Sequence, residues 1–329
     1  MAGAFILGCE GPVLTEREAA FFRDADPWGF ILFARNIRAP DQVRALTAAL
    51  RDSVGRAAPI LIDQEGGRVQ RLGPPFWTRW PRPLTQMSRA TDPVRAMFLR
   101  ATLIARELRD VGIDVNCTPT ADIAGEHTHP FLLSRLYGHS SETVTARARA
   151  NADGCLEGGV LPVVKHIPGH GRANTDSHLA LPRVDTALED LRASDFQVFR
   201  ALADLPLGMT AHVVYEAIDP DLPGTISHPV IHEIRQQIGF DGLLMTDDIS
   251  MGALPGDLAH RCHGAIAAGC DLILHCNGTW DDMQMVAATG PTLTGRALER
   301  AERALTLRSP PAALDIEAAR AELSELTAA

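Results

Sequence analysis

The stretch "VVKHIPGHGRANTDSH", Val163 to His178, places His166, His170, His178, Lys165 and Asp176 in a glycine-broken loop behind an apolar run, Val160–Val164. Such a set either holds a metal or holds a substrate and moves protons. His166 and His170 have the H-x₃-H spacing that suits ligands on a helix, but the intervening "IPG" excludes a helix. A metal-dependent barrel hydrolase would also want histidines on its first strand, and "ILGCEG" offers none. His260, Cys262 and His263 fall on a helical stretch without sharing one face well. The proton-transfer reading rests on Asp176 and His178, two residues apart in "TDSH". A carboxylate beside an imidazole fixes its tautomer and raises its pKa. Such a histidine can protonate a leaving group and then activate water. Composition alone favours a plainer role, a solvated loop in which Asp176 caps a turn.

Two further centres carry acid. In "LLMTDDIS", Asp247 and Asp248 follow an apolar strand; an aspartate held ionised there can act as a nucleophile. Adjacent residues on a strand alternate in direction, so one of the pair faces a site and the other caps a helix or binds backbone. Spacing does not say which. In "DQEGGRVQRL", the paired glycines allow an unusual backbone and close approach of a ligand. Asp63 can accept hydrogen bonds from hydroxyls, and Arg68 and Arg71 can donate. A structural arginine–aspartate pair is the equal alternative for Arg68. Trp77 and Trp80 suit packing better than a sugar platform.

The elements that must position these residues alternate in type. Eight candidate strands are Phe5–Gly8, Gly29–Phe33, Ile60–Ile62, Asp114–Cys117, Val160–Val164, Leu207–Thr210, Gly242–Thr246 and Leu272–His275. Helix-like segments lie between most of them: 15–25, 40–55, 92–112, 141–159, 188–204, 228–239 and 257–270. Strands alternating with helices imply parallel βαβ units. Eight of them favour a closed (β/α)₈ TIM-type barrel of the α/β class. The expectation is one catalytic domain over residues 1–329, with further helices from about 296. The polar residues follow the strands rather than precede them: Asp63 and Glu65, Lys165 and His166, His212, Asp247 and Asp248, His275 and Asn277. In a barrel these strand ends gather on one face, where active sites form.

The bulk properties narrow the partners. The chain has 329 residues, 46% hydrophobic and 22% charged, with a formal charge of −10. A packed core is expected. The acidity argues against nucleic acid and anionic membranes as partners, because both are bound through Lys and Arg clusters. No run reaches the ~18 apolar residues of a membrane span. The N-terminus lacks the basic region of a signal peptide. Six scattered cysteines without C-x-x-C spacing suit a reducing, cytoplasmic setting.

Taken together, "DQEGGRVQRL", "KHIPGHGRANTDSH" and "LLMTDDISM", with "ILFARNI" and "MTAHVVY", resemble the bacterial β-N-acetylhexosaminidases of glycoside hydrolase family three. The resemblance runs from about residue 5 to residue 277. It implies a retaining glycosidase with Asp247 as nucleophile and His178, oriented by Asp176, as acid/base, an exception to the two-carboxylate pattern. It implies sugar contacts from Asp63, Arg71, Arg135, Lys165 and His166. One departure is "LLSRLYG", where the family usually reads G-D-R-S-F; Arg135 is kept between Ser134 and Leu136. Ile167 replaces a usual phenylalanine. Longer relatives carry a second domain that supplies their acid/base, so a shorter chain must find its acid on the barrel.

The implied substrate is a terminal β-linked N-acetylglucosamine on an anhydro-muramyl sugar or its peptide, from peptidoglycan turnover, with no metal or organic cofactor. The competing expectations are a family-three enzyme of other specificity, such as a β-glucosidase or β-xylosidase, a metal-dependent barrel hydrolase, and a non-catalytic sugar-binding relative. Phosphate in place of water is a further outcome. Gly169 and Gly171 give the His178 loop the freedom of a lid. The sequence leaves the oligomeric state open.

Overall fold

A computed structural model describes residues 1–126, 128–173, 181–276 and 279–328. Eight parallel strands close into a barrel in chain order: β1 (Gly3–Leu7), β2 (Pro27–Leu32), β3 (Ile60–Ile62), β4 (Val115–Asn116), β5 (Leu161–Ile167), β6 (Leu207–Thr210), β7 (Leu243–Asp248) and β8 (Leu272–His275). Phe5 pairs with Ile273 to close the ring. Every strand overlaps one of the eight expected from the pattern of apolar runs.

The strands are buried on both faces, as parallel barrel strands must be. Alternate residues point inward. Ala4 and Ile6, Leu161 and Val163, Leu207 and Met209, Leu243 and Met245, Leu272 and Leu274 form one apolar interior. Their neighbours Phe5, Leu7, Val164, Leu244 and Ile273 face the helices. Full burial of each such Leu, Ile, Val, Met or Phe side chain contributes roughly 1.5–3 kcal/mol. Ala301 and Ala304 of the helix Gly295–Thr306 belong to the interior group, so this helix closes one end of the barrel. A last helix, Ile316–Leu326, packs on the helix Pro93–Asp110.

Local signals set the helix ends. Thr15 and Glu18 form a reciprocal capping box at the helix Glu16–Ala25. Proline begins the helices Pro40–Val54 and Pro93–Asp110, where its missing N–H costs nothing. The segment expected to be one helix over 188–204 is two, Leu188–Ala193 and Asp195–Ala201, broken at Ser194. The break lets the buried Asp195 accept from Arg172 Nε at 2.6 Å, anchoring the loop after β5. The segment 228–239 begins as an α-helix and widens into π-type turns over Glu233–Ile238. A two-stranded parallel ribbon, Arg183–Val184 with Val214–Tyr215, lies outside the barrel. Among the described residues, no helix is long and apolar enough to cross a membrane. All six cysteines are buried and unbridged.

Candidate active site

At the C-terminal ends of the strands a cavity opens, lined among others by Asp63, Arg71, Arg135, Lys165, His166, His170, Asp247 and Cys276. Side-chain parity delivers several of these. Inward-facing Leu61 is followed by Asp63, Leu161 and Val163 by Lys165, and Leu243 and Met245 by Asp247. The same alternation turns Asp248 away. Its carboxylate accepts from Ser250 N at 3.2 Å, Ser250 Oγ at 2.8 Å and Cys276 N at 3.1 Å. Asp248 therefore ties β7 to β8, while Asp247 faces the cavity and accepts Asp248 N at 2.7 Å. Burial opposes ionisation of Asp247, but His166, the Asp248 N–H and Lys165 outweigh it and hold the carboxyl below its ordinary range.

Beside Asp247 lies a charge cluster built on β3 and β5. Lys165 Nζ donates to Asp63 Oδ1 at 2.9 Å and contacts Glu65 Oε1 at 2.8 Å. Arg135 grips Glu65 with two bonds, Nε at 2.9 Å and Nη2 at 2.8 Å. Arg71 Nη2 reaches Asp63 Oδ2 at 3.2 Å, and its buried Nε has no partner among the described residues. Burial alone disfavours the charged forms of Asp63, Glu65 and Lys165. The paired charges reverse that: the Glu65 carboxyl is pushed down to about 2, Asp63 lies below the usual carboxylate range, and the Lys165 ammonium lies above its own. Three cations, Lys165, Arg135 and Arg71, thus face two carboxylates, with donors left over for a ligand.

The loop after β3 is shaped by Gln64 and Arg100. Gln64 accepts from Arg71 N at 2.8 Å and Leu72 N at 3.0 Å. Arg100, buried with no carboxylate partner among the described residues, donates to Glu65 O and Pro81 O. A Cβ on Gly66 would sit 1.9 Å from Arg100 Nη2, and φ there is +94°. Glycine is required there by close approach as well as by backbone angle. Arg68 pairs with no carboxylate among the described residues and lies 4.0 Å above the Phe131 ring at the cavity rim. Trp80 is buried and donates to Glu107 at 3.2 Å, a packing role.

A second carboxylate behind the cavity orients the histidines. Asp122 Oδ2 lies 2.7 Å from His166 Nδ1, and its Oδ1 accepts His170 N at 2.6 Å. Burial works against this carboxyl, but His166 and the His170 N–H keep it ionised. A carboxylate only accepts, so His166 Nδ1 carries the proton and Nε2 is the atom left for the cavity. Burial and His166 push the His170 imidazole down to about 4, so it is neutral at pH 7. Neither Glu65 nor Asp122 carries a sequence signal of this role, because each partner lies far along the chain. Asp176 and His178 lie outside the described residues. Of the earlier metal candidates, Cys262 is buried while His260 and His263 are exposed.

The buried titrating groups predict a two-stage loss of stability in acid. His170 and His212 have depressed folded-state pKa values, so the unfolded chain binds their protons first and stability falls as pH drops below about 6.5. Glu65 and Asp63 add a second loss as pH falls below about 4.5 toward about 2. Thermal unfolding followed from pH 8 to pH 3 should show a decline beginning near 6.5 and steepening below 4.5. A flat midpoint between pH 7 and pH 4 would contradict the assignment of these groups.

A barrel whose strand ends hold an ionised aspartate beside a carboxylate–cation cluster is the site of an enzyme acting on a polar, many-hydroxyl substrate. Residues 15–307 match the glycosyl hydrolase family 3 N-terminal domain, and the chain belongs to that family of glycoside hydrolases. A beta-hexosaminidase of Alkalilimnicola ehrlichii is 40% identical over 288 residues, covering 84% of this chain and 81% of that protein. One from Pseudomonas aeruginosa is 38% identical over 285 residues, covering 84% and 83%. The crystal structure of NagZ from Neisseria gonorrhoeae superposes with a TM-score of 0.88 at 29% identity, covering 99% of this chain and 98% of that one. A structure of the same gonococcal protein holds N-trifluoroacetyl-D-glucosamine; its TM-score is 0.86 at 29% identity, with 99% and 96% covered.

Proposed function

We propose that this chain is a retaining exo-β-N-acetylglucosaminidase, with the barrel and its C-terminal helices acting as one catalytic unit. The observation that carries the reading is Asp247. Its carboxyl is held ionised and faces the cavity, while the neighbouring cations are already engaged by Asp63 and Glu65. Asp247 attacks the anomeric carbon as the bond to the leaving oxygen breaks. His178, oriented by Asp176, supplies the proton to that oxygen and then takes one from the water that cleaves the ester. Asp63, Arg71, Arg135, Lys165 and His166 hold the sugar. The relatives' names support the acetamido sugar, and the bound N-trifluoroacetyl-D-glucosamine of the gonococcal protein points the same way.

The Asp63 carboxylate does not serve as the acid in this scheme. It is bonded to Lys165 and Arg71 and held ionised, so it has no proton to give near pH 7. This supports an acid from the 169–178 loop. The aglycone is proposed to be an anhydro-muramyl sugar or its peptide, met in the cytoplasm. Chromogenic β-N-acetylglucosaminide and β-glucoside, assayed side by side, test the sugar. Faster turnover of the acetamido substrate is expected, and activity on the glucoside alone would overturn the specificity.

The acid role predicts a leaving-group signature. His178→Ala should slow a poor leaving group such as a simple alkyl or sugar alcohol by ~10²–10⁴-fold. An activated aryl leaving group needs little protonation and should lose far less in its bond-breaking step. Equal losses for both would show that His178 is not the general acid.

A further inference from the structure

Behind the cavity lies a buried polar chain that the proposed mechanism does not use. His212 follows β6, is 1% exposed and does not line the cavity. Its Nε2 is 3.0 Å from the main-chain oxygen of Asp248, and its Nδ1 is 2.6 Å from Thr225 Oγ1. Thr225 Oγ1 is in turn 2.7 Å from Thr210 Oγ1.

The chemistry of the partners orders these bonds. A carbonyl oxygen only accepts, so Nε2 must carry hydrogen. Burial disfavours the imidazolium, so the ring is neutral and Nδ1 is an acceptor. The Thr225 hydroxyl, which also lies 3.3 Å from Ala211 O, then gives its one hydrogen to the closer Nδ1, and Thr210 gives its own to Thr225. The chain runs in one direction from β6 to β7. The same peptide is held from its other side, because Ile249 N donates to Leu274 O on β8 at 2.9 Å. The peptide joining Asp248 to Ile249 is thus clamped between two neighbouring strands.

We propose that His212 is a positioning residue for the reaction. Its Nε2–H tautomer, imposed by the Asp248 carbonyl and supported by the Thr225 hydroxyl at Nδ1, fixes the Asp248 main chain and so the aim of the Asp247 carboxylate, whose Oδ1 is bonded to Asp248 N. The inference rests on the reading of Asp247 as nucleophile. A carboxylate displaced by about 1 Å still lets the sugar bind but loses up to ~10²-fold in the reacting step.

The test compares His212→Leu, His212→Gln and Thr225→Val on an aryl β-N-acetylglucosaminide. Leucine removes the donor; glutamine carries an N–H near the position of Nε2. His212→Leu should lower kcat by roughly 10–10²-fold with KM within about threefold. His212→Gln should recover most of the loss. ¹⁵N spectra of histidine-labelled wild type should show Nδ1 of His212 unprotonated from pH 6 to 8. That reading stands even where the leucine variant fails to fold, and Thr225→Val, which removes only the donor at Nδ1, should lower kcat less than His212→Leu because the Nε2–H bond to Asp248 remains. Wild-type kcat in His212→Leu, a glutamine variant as impaired as leucine, or a proton on Nδ1 in the wild type would each overturn the proposal. Asp247→Ala in the same series separates the two readings. If it stays active, the nucleophile assignment fails; if it is inactive while His212→Leu is normal, only the positioning role fails.

Discussion

Asp247→Ala is expected to lower kcat by on the order of 10⁴-fold or more, the usual scale for removing a nucleophile that forms a covalent intermediate. The fold should survive, because Asp247 bonds only to Asp248 N among the described residues, whereas Asp248 makes the contacts between strands. Asp248→Ala should therefore show the opposite balance, with a clear loss of stability. The missing carboxylate also leaves space for a small anion. With an activated aryl substrate, azide should restore part of the rate to the Asp247→Ala enzyme and yield the α-glycosyl azide. Residual activity within tenfold of wild type, with no azide effect, would remove Asp247 from the mechanism.

Lys165→Met is expected to be the most damaging change to stability in the site. Lys165 is 2% exposed and lies between Asp63 and Glu65. Removing one partner of a buried ion network leaves carboxylate charge uncompensated, at a cost of about 3–5 kcal/mol. Arg135 and Arg71 remain to hold one oxygen set each, so the fold need not collapse outright. Chemical denaturation at pH 7 should show the loss, and part of it should return near pH 4, where the stranded carboxylates can take protons. A change below about 1 kcal/mol would mean that the cluster is solvated and contributes little. Glu65→Gln provides the complementary case, since it strands Arg135 and Lys165 instead. It should also weaken substrate binding, because Arg135 loses its two-bond grip.

Much of the barrel was legible in the chain because strands buried on both faces leave compact apolar runs. The positions of Asp63, Lys165 and Asp247 just past those runs pointed to one face. The choice between Asp247 and Asp248 was not legible. "LLMT" is apolar on both sides of the strand, so no alternation shows which residues point inward. Only the closed ring, with Leu243 and Met245 in its interior, decides the parity. The supporting groups were hidden for another reason. Asp122 meets His166 across 44 residues of chain and Glu65 meets Arg135 across 70, and neither separation has a periodic signature. Ser194 breaks a helix whose propensities are ordinary because a tertiary bond, Asp195 to Arg172, prevails over local preference. The glycines proposed as lid hinges also have a tighter reading: a Cβ on Gly171 would lie 2.0 Å from Ile123 O, so close packing alone accounts for that position.

The central claim is a covalent sugar on Asp247. The most direct measurement is to treat the enzyme with 5-fluoro-N-acetylglucosaminyl fluoride, which forms the glycosyl ester quickly and hydrolyses it slowly, and to map the added mass by peptide fragmentation. One sugar per chain is expected, on Asp247, lost on standing as activity returns. A label on another carboxylate, or full turnover with no trapped species and inverted product, would contradict it.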